Sequence, residues 1–566
     1  MTFFDIQTYA VIKILLIFFV VISIYFVYKK TNPVFFLVFA GGISAITYAL
    51  FVNNLDLLFW GLQGDELTIT AMYNTFAKVG LFSDFAYHSF SPFYPPAFFW
   101  IFGFIGRIMN WNGVLIAKSA SFVFFLFFPV SLYYFQKFFV LKKMFNKKLV
   151  GNVFFILSPL IIITVLDKDL LIGKPYEVIT AAMTVFWYIG LHLEITQGNW
   201  NKKKVVVYGL IAGIIFMMYY LWIIFAGLAF ILAILMERKG LRKKYFLCLF
   251  QTAFVAIIVS LPFLLPLIIS YLKTGMESWQ TSFFIPNGLN LWLPMFKIYS
   301  INNLIFLFGF LVLIYYRNNI FIRQLLCIFL ITFIWWFIGM GSLFFFKIPL
   351  QEFRGFYILA PTILAISASY GIERLWNYYK VVQNKNLYYT VTISAIIFFV
   401  SQSFFGFFID DPLIKNRLIE SRNVQTEIKD LVNFLEKIPA VSSKLTLQTA
   451  PQIMAWVPIN NLIYFNQHNN HPAAIFSKRY EYVLSLASSK SSEELYKKVI
   501  NCPFGQLEQF IFHSDEKSYY LYFHLDKMIS GIEEKEIVIK KELFLPKYFD
   551  KVYDNNGYVV INFKNN

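Results

Sequence analysis

Apolar runs long enough to cross a bilayer recur along most of the chain, divided by short loops that carry the lysines and arginines. Each such run can span the ~30 Å hydrocarbon core, which takes about 20 helical residues. Crossings are expected at 9–28, 34–52, 114–135, 149–166, 178–195, 246–271, 302–316, 324–344, 356–372 and 388–408. The stretch 205–236 holds 32 residues without a charge, enough for two short crossings hinged near Tyr219-Tyr220. The total is about twelve, within a range of about 11–13.

Loop charge sets the orientation. Lys29-Lys30, the lysines at 137–148, Lys202-Lys203-Lys204, the cluster at 238–244, Arg317 with Arg323, and Arg374 with Lys385 mark cytoplasmic loops. The loops near 53–113, 167–177, 273–300 and 345–355 then lie outside. Within the first, apolar residues at 66–79 recur at helical spacing, which predicts a helix lying along the interface. Residues 83–96 read as an ordered aromatic loop. The piece 97–109 is only 13 residues long, too short to span, and is expected to be re-entrant or interfacial.

After residue 408 the pattern changes to mixed and charged. Helical spacing appears near 424–437 and 491–500, and strand-like alternation at 519–523 and 558–563. The expected architecture is a polytopic α-helical membrane domain over 1–408 and a soluble α+β domain over 409–566, which parity puts on the extracytoplasmic side.

Composition agrees. Of 566 residues, 58% are hydrophobic and 14% charged, where a soluble chain has about a quarter charged. The net charge of +17 sits in loops between spans, which argues against nucleic-acid binding. Cys248, Cys327 and Cys502 offer no disulfide framework or zinc spacing. No small-residue cleavage site follows the first apolar run, so it is expected to stay as an anchor.

The centres of the spans hold almost no ionisable groups, whereas ion-coupled transporters place them at mid-membrane depth. Chemistry is expected at the outer surface. Asp65 and Glu66 follow a span directly, and a sugar transfer needs a carboxylate to take the acceptor's proton. They read equally as solvated charges at a helix N-terminus. Lys174, with Glu177 beside it, and Arg354 could hold a phosphate, or serve as snorkelling and ion-pairing residues. Tyr94 and Trp100 could stack on a sugar or form an aromatic belt. His468, His471 and Arg479 fall in a polar stretch, but no third ligand stands at metal-binding spacing. The sequence requires no metal or other cofactor, and a divalent cation is left open.

Taken together, Gly64-Asp65-Glu66, the run Phe93-Tyr94-Pro95-Pro96-Ala97-Phe98-Phe99-Trp100, Lys174-Pro175-Tyr176-Glu177, and His471-Pro472-Ala473-Ala474 with Arg479 resemble the galactan arabinofuranosyltransferases of mycobacterial wall synthesis, within the GT-C class of membrane glycosyltransferases. The resemblance implies a GT-C-like fold and an inverting transfer of a sugar, arabinofuranose in that family, from a polyprenyl-phosphate donor. The acceptor would be a cell-envelope glycan at the outer face of the cytoplasmic membrane. It implies Asp65 as general base, with Glu66, Tyr94, Trp100, Lys174, Tyr176, Glu177, Arg354, His471 and Arg479 as substrate-binding candidates. The rival expectation is a lipid-linked sugar flippase or polysaccharide transporter.

Overall fold

The structure is a computed structural model that describes residues 3–29, 32–59, 61–141, 151–198, 200–237, 239–277, 293–296, 300–348, 350–379, 383–402, 416, 418–527 and 531–564. Lys30, Lys142, Lys143, Lys147, Lys148, Arg238, much of the loop 273–300 and the end of the last expected span lie outside the described residues.

Among the described residues, eight helices are long and apolar enough to cross a membrane, with four shorter apolar helices beside them. In chain order the bundle is α1 (Phe3–Lys29), α2 (Pro33–Val52), α3 (Asp65–Lys78), α4 (Ala97–Met109), α5 (Gly113–Gln136), α6 (Gly151–Val165), α7 (Lys168–Gly173), α8 (Pro175–Thr196), α9 (Lys202–Met236), α10 (Lys239–Thr274), α11 (Ile301–Tyr315), α12 (Ile320–Phe346), α13 (Ala360–Tyr378) and α14 (Lys385–Gln402). The polytopic helical fold expected from hydropathy is present. Asparagines start several of these helices by capping exposed backbone N–H groups. Asn112 accepts from Leu115 N at 3.0 Å, and Asn201 from Lys204 N at 3.1 Å.

The long α9 is a hairpin. Tyr219 breaks it with extended angles (φ −165°, ψ 98°). Before the break the chain runs against α8, with Trp187 Nε1 donating to Tyr208 O at 3.0 Å and Tyr176 meeting Tyr219 at 6.2 Å between rings. After it the chain runs with α8, as Trp222 Nε1 donates to Glu177 O at 2.9 Å and Tyr188 packs on Phe230 at 4.6 Å. Two short crossings therefore meet at Tyr219-Tyr220, as the uncharged run suggested.

The helix at the start of the first long loop departs from expectation. Every residue of α3 from Glu66 to Ala77 is buried, so it is covered on every face and not along one apolar stripe only. It is enclosed by α4, α5 and the tail, whose Met454 O accepts from Asn74 Nδ2 at 2.9 Å. By contrast, α4 buries Phe98, Phe99 and Phe102 and leaves Ile101, Phe104 and Ile108 exposed. Between α3 and α4, Asp84 Oδ1 accepts from the N–H groups of Ala86 (3.0 Å) and Tyr87 (3.1 Å), which orders the aromatic loop.

The tail contributes α15 (Thr426–Leu435), α16 (Phe476–Ala487), α17 (Ser492–Ile500) and strands β1 (Leu445–Gln448), β2 (Asn460–Asn461), β3 (Leu507–Ser514), β4 (Ser518–Lys527), β5 (Gly531–Lys540), β6 (Phe549–Asn555) and β7 (Tyr558–Phe563). The strands form one sheet, ordered β2-β1-β3-β4-β5, with β7 pairing β3 and β6. One apolar core lies wholly inside this domain. The core of the helical bundle continues through Ile428, Leu431, Ile453, Val457 and Tyr464, so the first part of the tail packs as an extension of the membrane domain. The tail thereby forms a lid over α3.

Candidate functional site

The loops 53–113, 167–174 and 350–354 gather at one end of the bundle, with the hairpin apex at Tyr219. There they enclose a cavity of about 330 Å³ beneath the tail. Gly64, at φ +53° and ψ −128°, turns the chain into α3 and makes Asp65 its first residue. A carboxylate at that position also benefits from the helix dipole. Lys174 precedes α8 and places its Nζ 2.5 Å from Asp65 Oδ2.

Asp65, Tyr94, Lys174, Tyr176 and Arg354, separated by up to 289 positions (354 − 65), all border this cavity. Glu177 stands just behind it, fully buried, with Oε2 3.5 Å from Arg354 Nη1. Arg354 Nε also donates to Gln351 Oε1 at 2.7 Å. The Tyr94 and Tyr176 hydroxyls lie 3.0 Å apart, and Tyr94 OH reaches Glu177 Oε1 at 3.5 Å. Two acidic and two basic side chains thus interlock around the cavity.

This arrangement shapes the ionisation of Asp65. Attraction to Lys174 holds its carboxyl down to about 2, partly opposed by burial, with Arg354 and His468 adding to the lowering. Burial pulls Lys174 down, but Asp65 and Glu177 more than offset this, and the ammonium stands above the ordinary lysine value. At neutral pH the pair is ionic. Lys174 is mostly covered, whereas 55% of the Asp65 side chain is exposed, and it faces the cavity.

Four candidates lie elsewhere. Glu66 projects from another face of α3, toward Tyr48, Tyr73 and Ser121. Neighbours on a helix point about 100° apart, which turns Glu66 away from the wall that holds Asp65. Trp100 donates its indole N–H to Leu81 O and packs edge-on to Phe82. His471 is fully buried, between Ser91 O at 2.9 Å from its Nε2 and the stacked ring of Phe90 at 5.0 Å. Arg479 donates to Ala474 O and Leu462 O and lies over the Tyr87 ring. These last two join the tail to the first long loop and do not border the cavity.

The structure adds residues that spacing did not single out as site residues. Tyr219 and Tyr220 line the cavity from the hairpin apex, and their break in an uncharged run was the available signal. His468 and Asn469 reach in from the tail, and Thr68 from α3. Ile224, Trp335 and Leu350 make an apolar wall. The cavity lining is therefore ionic at Asp65, Lys174 and Arg354 and apolar at Ile224, Trp335 and Leu350. Among the described residues, no group of three His, Cys, Asp or Glu stands together as a metal site.

Fold and cavity define a multi-pass membrane protein with an ion-paired site under an α+β lid. Residues 5–400 match the family described as arabinofuranosyltransferase N terminal, and the chain belongs to that family. It is a glycosyltransferase, and the transporter alternative gives way to that membership. No curated protein matches the sequence. Among solved structures, the archaeal oligosaccharyltransferase AglB from Archaeoglobus fulgidus, in complex with an inhibitory peptide and a dolichol-phosphate, is similar at a TM-score of 0.49 and 11% identity. The similarity covers 94% of this chain and 80% of that one, and it is too slight to decide anything further.

Proposed function

We propose that the protein transfers a sugar, arabinofuranose by its family, from a polyprenyl-phosphate donor to a cell-envelope glycan at the outer face of the cytoplasmic membrane. The observation that carries this reading is a cavity lined by the two cations Lys174 and Arg354 and by an apolar wall of Ile224, Trp335 and Leu350. A lipid-linked sugar phosphate has that same division. Lysine-rich loops elsewhere in the chain favour placing the cavity end outside.

The donor phosphate is a diester with one negative charge. As the bond from C1 to the phosphate oxygen breaks, its electron pair leaves with the phosphate, which becomes a monoester of greater charge. Lys174 and Arg354 are placed to stabilise that charge, and stabilisation that grows toward the transition state is what accelerates the step. The acceptor hydroxyl attacks C1 from the opposite side, which inverts the configuration, and its proton passes to Asp65. A carboxylate tied to Lys174 is a weak base. The donor phosphate competes for the same ammonium, so Asp65 becomes more basic once the donor is seated.

The test is incubation of purified protein with a panel of polyprenyl-phosphate sugars, the arabinofuranose carrier first, and a wall-glycan acceptor. Release of polyprenyl phosphate is the readout. If no donor in the panel loses its sugar in the presence of acceptor, the proposal fails.

A further inference from the structure

The tail carries an acid–imidazole pair to the cavity. His468 Nδ1 lies 3.1 Å from Asp526 Oδ2, and only 1% of the Asp526 side chain is exposed. Both partners are fixed by the backbone. Asn466 Oδ1 accepts from His468 N at 2.9 Å, and Asp526 N donates to Gln467 Oε1 at 2.9 Å. The next residue, Asn469, donates to Thr68 Oγ1 at 3.2 Å. Thr68 lies three positions after Asp65, close to one turn of α3. The imidazole and the Asp65 carboxylate therefore border the same cavity from adjoining walls.

A histidine whose Nδ1–H is directed at a buried carboxylate has a fixed tautomer, with Nε2 as the nitrogen able to take a proton. The Asp65–Lys174 pair supplies the complementary need. A carboxylate beside an ammonium holds a proton only briefly, and the next turnover requires it ionised again.

Resting on the proposed transfer reaction, we propose that His468, oriented by Asp526, is the second proton carrier of the site and receives from Asp65 the proton lost by the acceptor hydroxyl. In the step, the acceptor O–H bond breaks as the new C1–O bond forms and the bond from C1 to phosphate opens. The proton moves to Asp65 and on to His468 Nε2, then to water. The electron pair of the broken glycosyl bond leaves with the phosphate, and no oxidant or reductant takes part.

The experiment uses the full chain with its donor and acceptor. His468→Ala is expected to lower kcat by about 10²-fold or more while leaving donor affinity unchanged. Imidazole in the buffer should restore roughly tenfold of that loss and leave the wild type unaffected. Asp526→Asn, which keeps the side-chain shape, should lower kcat without a gain from imidazole. Turnover by His468→Ala within about threefold of wild type, or a deficit that imidazole does not repair, overturns the proposal. If His468→Ala does not fold, Asp526→Asn decides, and a wild-type kcat in that variant overturns it equally. Failure of the wild type to release carrier from any donor is a separate result, which removes the transfer reaction itself.

Discussion

Lys174 Nζ lies 2.5 Å from Asp65 Oδ2, joining the residue that precedes one helix to the first residue of another. The pair is ionic yet open to the cavity on the side of the acid, so a phosphate in the cavity can compete with Asp65 for the ammonium. Asp65→Asn removes the charge and keeps the shape. Transfer should fall by about 10²–10⁴-fold with donor binding intact, and Lys174→Met should instead weaken donor binding. Carrier release measured beside donor affinity separates the two effects. Unimpaired turnover by Asp65→Asn removes that residue from the base role.

Glu177 and Arg354 form the second pair, 3.5 Å apart, with the acid fully buried and the guanidinium 12% exposed. A buried pair that loses one member leaves the other charge uncompensated, at a cost of about 3–5 kcal/mol. Glu177→Ala should therefore lower the melting temperature of the detergent-solubilised protein and release Arg354 from its place. Arg354→Lys should not restore the site, because an ammonium lacks the planar fork that reaches Glu177 and Gln351 together. An unchanged melting temperature in Glu177→Ala contradicts the pairing.

Most of the membrane fold was legible in the sequence, because a crossing helix has to be apolar along its whole length. Even the hairpin at Tyr219 could be read, since 32 uncharged residues exceed one crossing and loop charge demanded two. The burial of α3 was not legible. Its polar Thr68 and Asn74 read as solvent-facing until the tail covers them through Asn469 and Met454, and periodicity carries no record of a covering domain. The same limit applies to the site. Hydropathy could place Asp65, Lys174 and Arg354 in loops on one side, but only tertiary packing brings them to one cavity and turns Glu66 away. His468 and His471 differ by three positions in a stretch of short turns. Which of them borders the cavity depends on backbone detail that spacing does not encode.

The cavity's carboxylate chemistry bears on metal dependence. Asp65 is engaged by Lys174, and Glu177 by Arg354, so each acid already has a cation. The charge that develops on the leaving phosphate has two protein cations to meet it. Excess EDTA should leave carrier release within about twofold of the untreated rate. Loss of turnover in EDTA, recovered by adding a divalent cation, would show that a metal shares the role assigned to Lys174 and Arg354.

Gly113 opens α5 where that helix meets α3 and the tail. A Cβ there would press on Thr70 O and come within 3.0 Å of Ala455 O, both of them backbone atoms that cannot rotate aside. Gly113→Ala should force the three elements apart, and overpacking of this kind costs about 1–3 kcal/mol. The expected outcome is a lower melting temperature and easier proteolysis near the tail, with donor chemistry altered less than by Asp65→Asn. A melting temperature equal to wild type would mean that α5 can slide without loss.

The docking of the tail should depend on pH through His471. The ring is fully buried between the first long loop and the tail. Burial pushes its pKa down to about 4, Arg479 lowers it further, and the hydrogen bond to Ser91 O opposes them in part. In the unfolded chain the ring returns to its ordinary value of about 6.5. Between these two values the unfolded state holds a proton that the folded state does not, so stability is complete above about 6.5 and declines as the pH falls toward 4. At about 1.4 kcal/mol for each pH unit, the loss amounts to roughly 2–4 kcal/mol. Melting temperatures recorded across that window should fall with acidification, and His471→Gln should flatten the slope by about one proton. An equal slope in the variant would place the acid sensitivity in other groups.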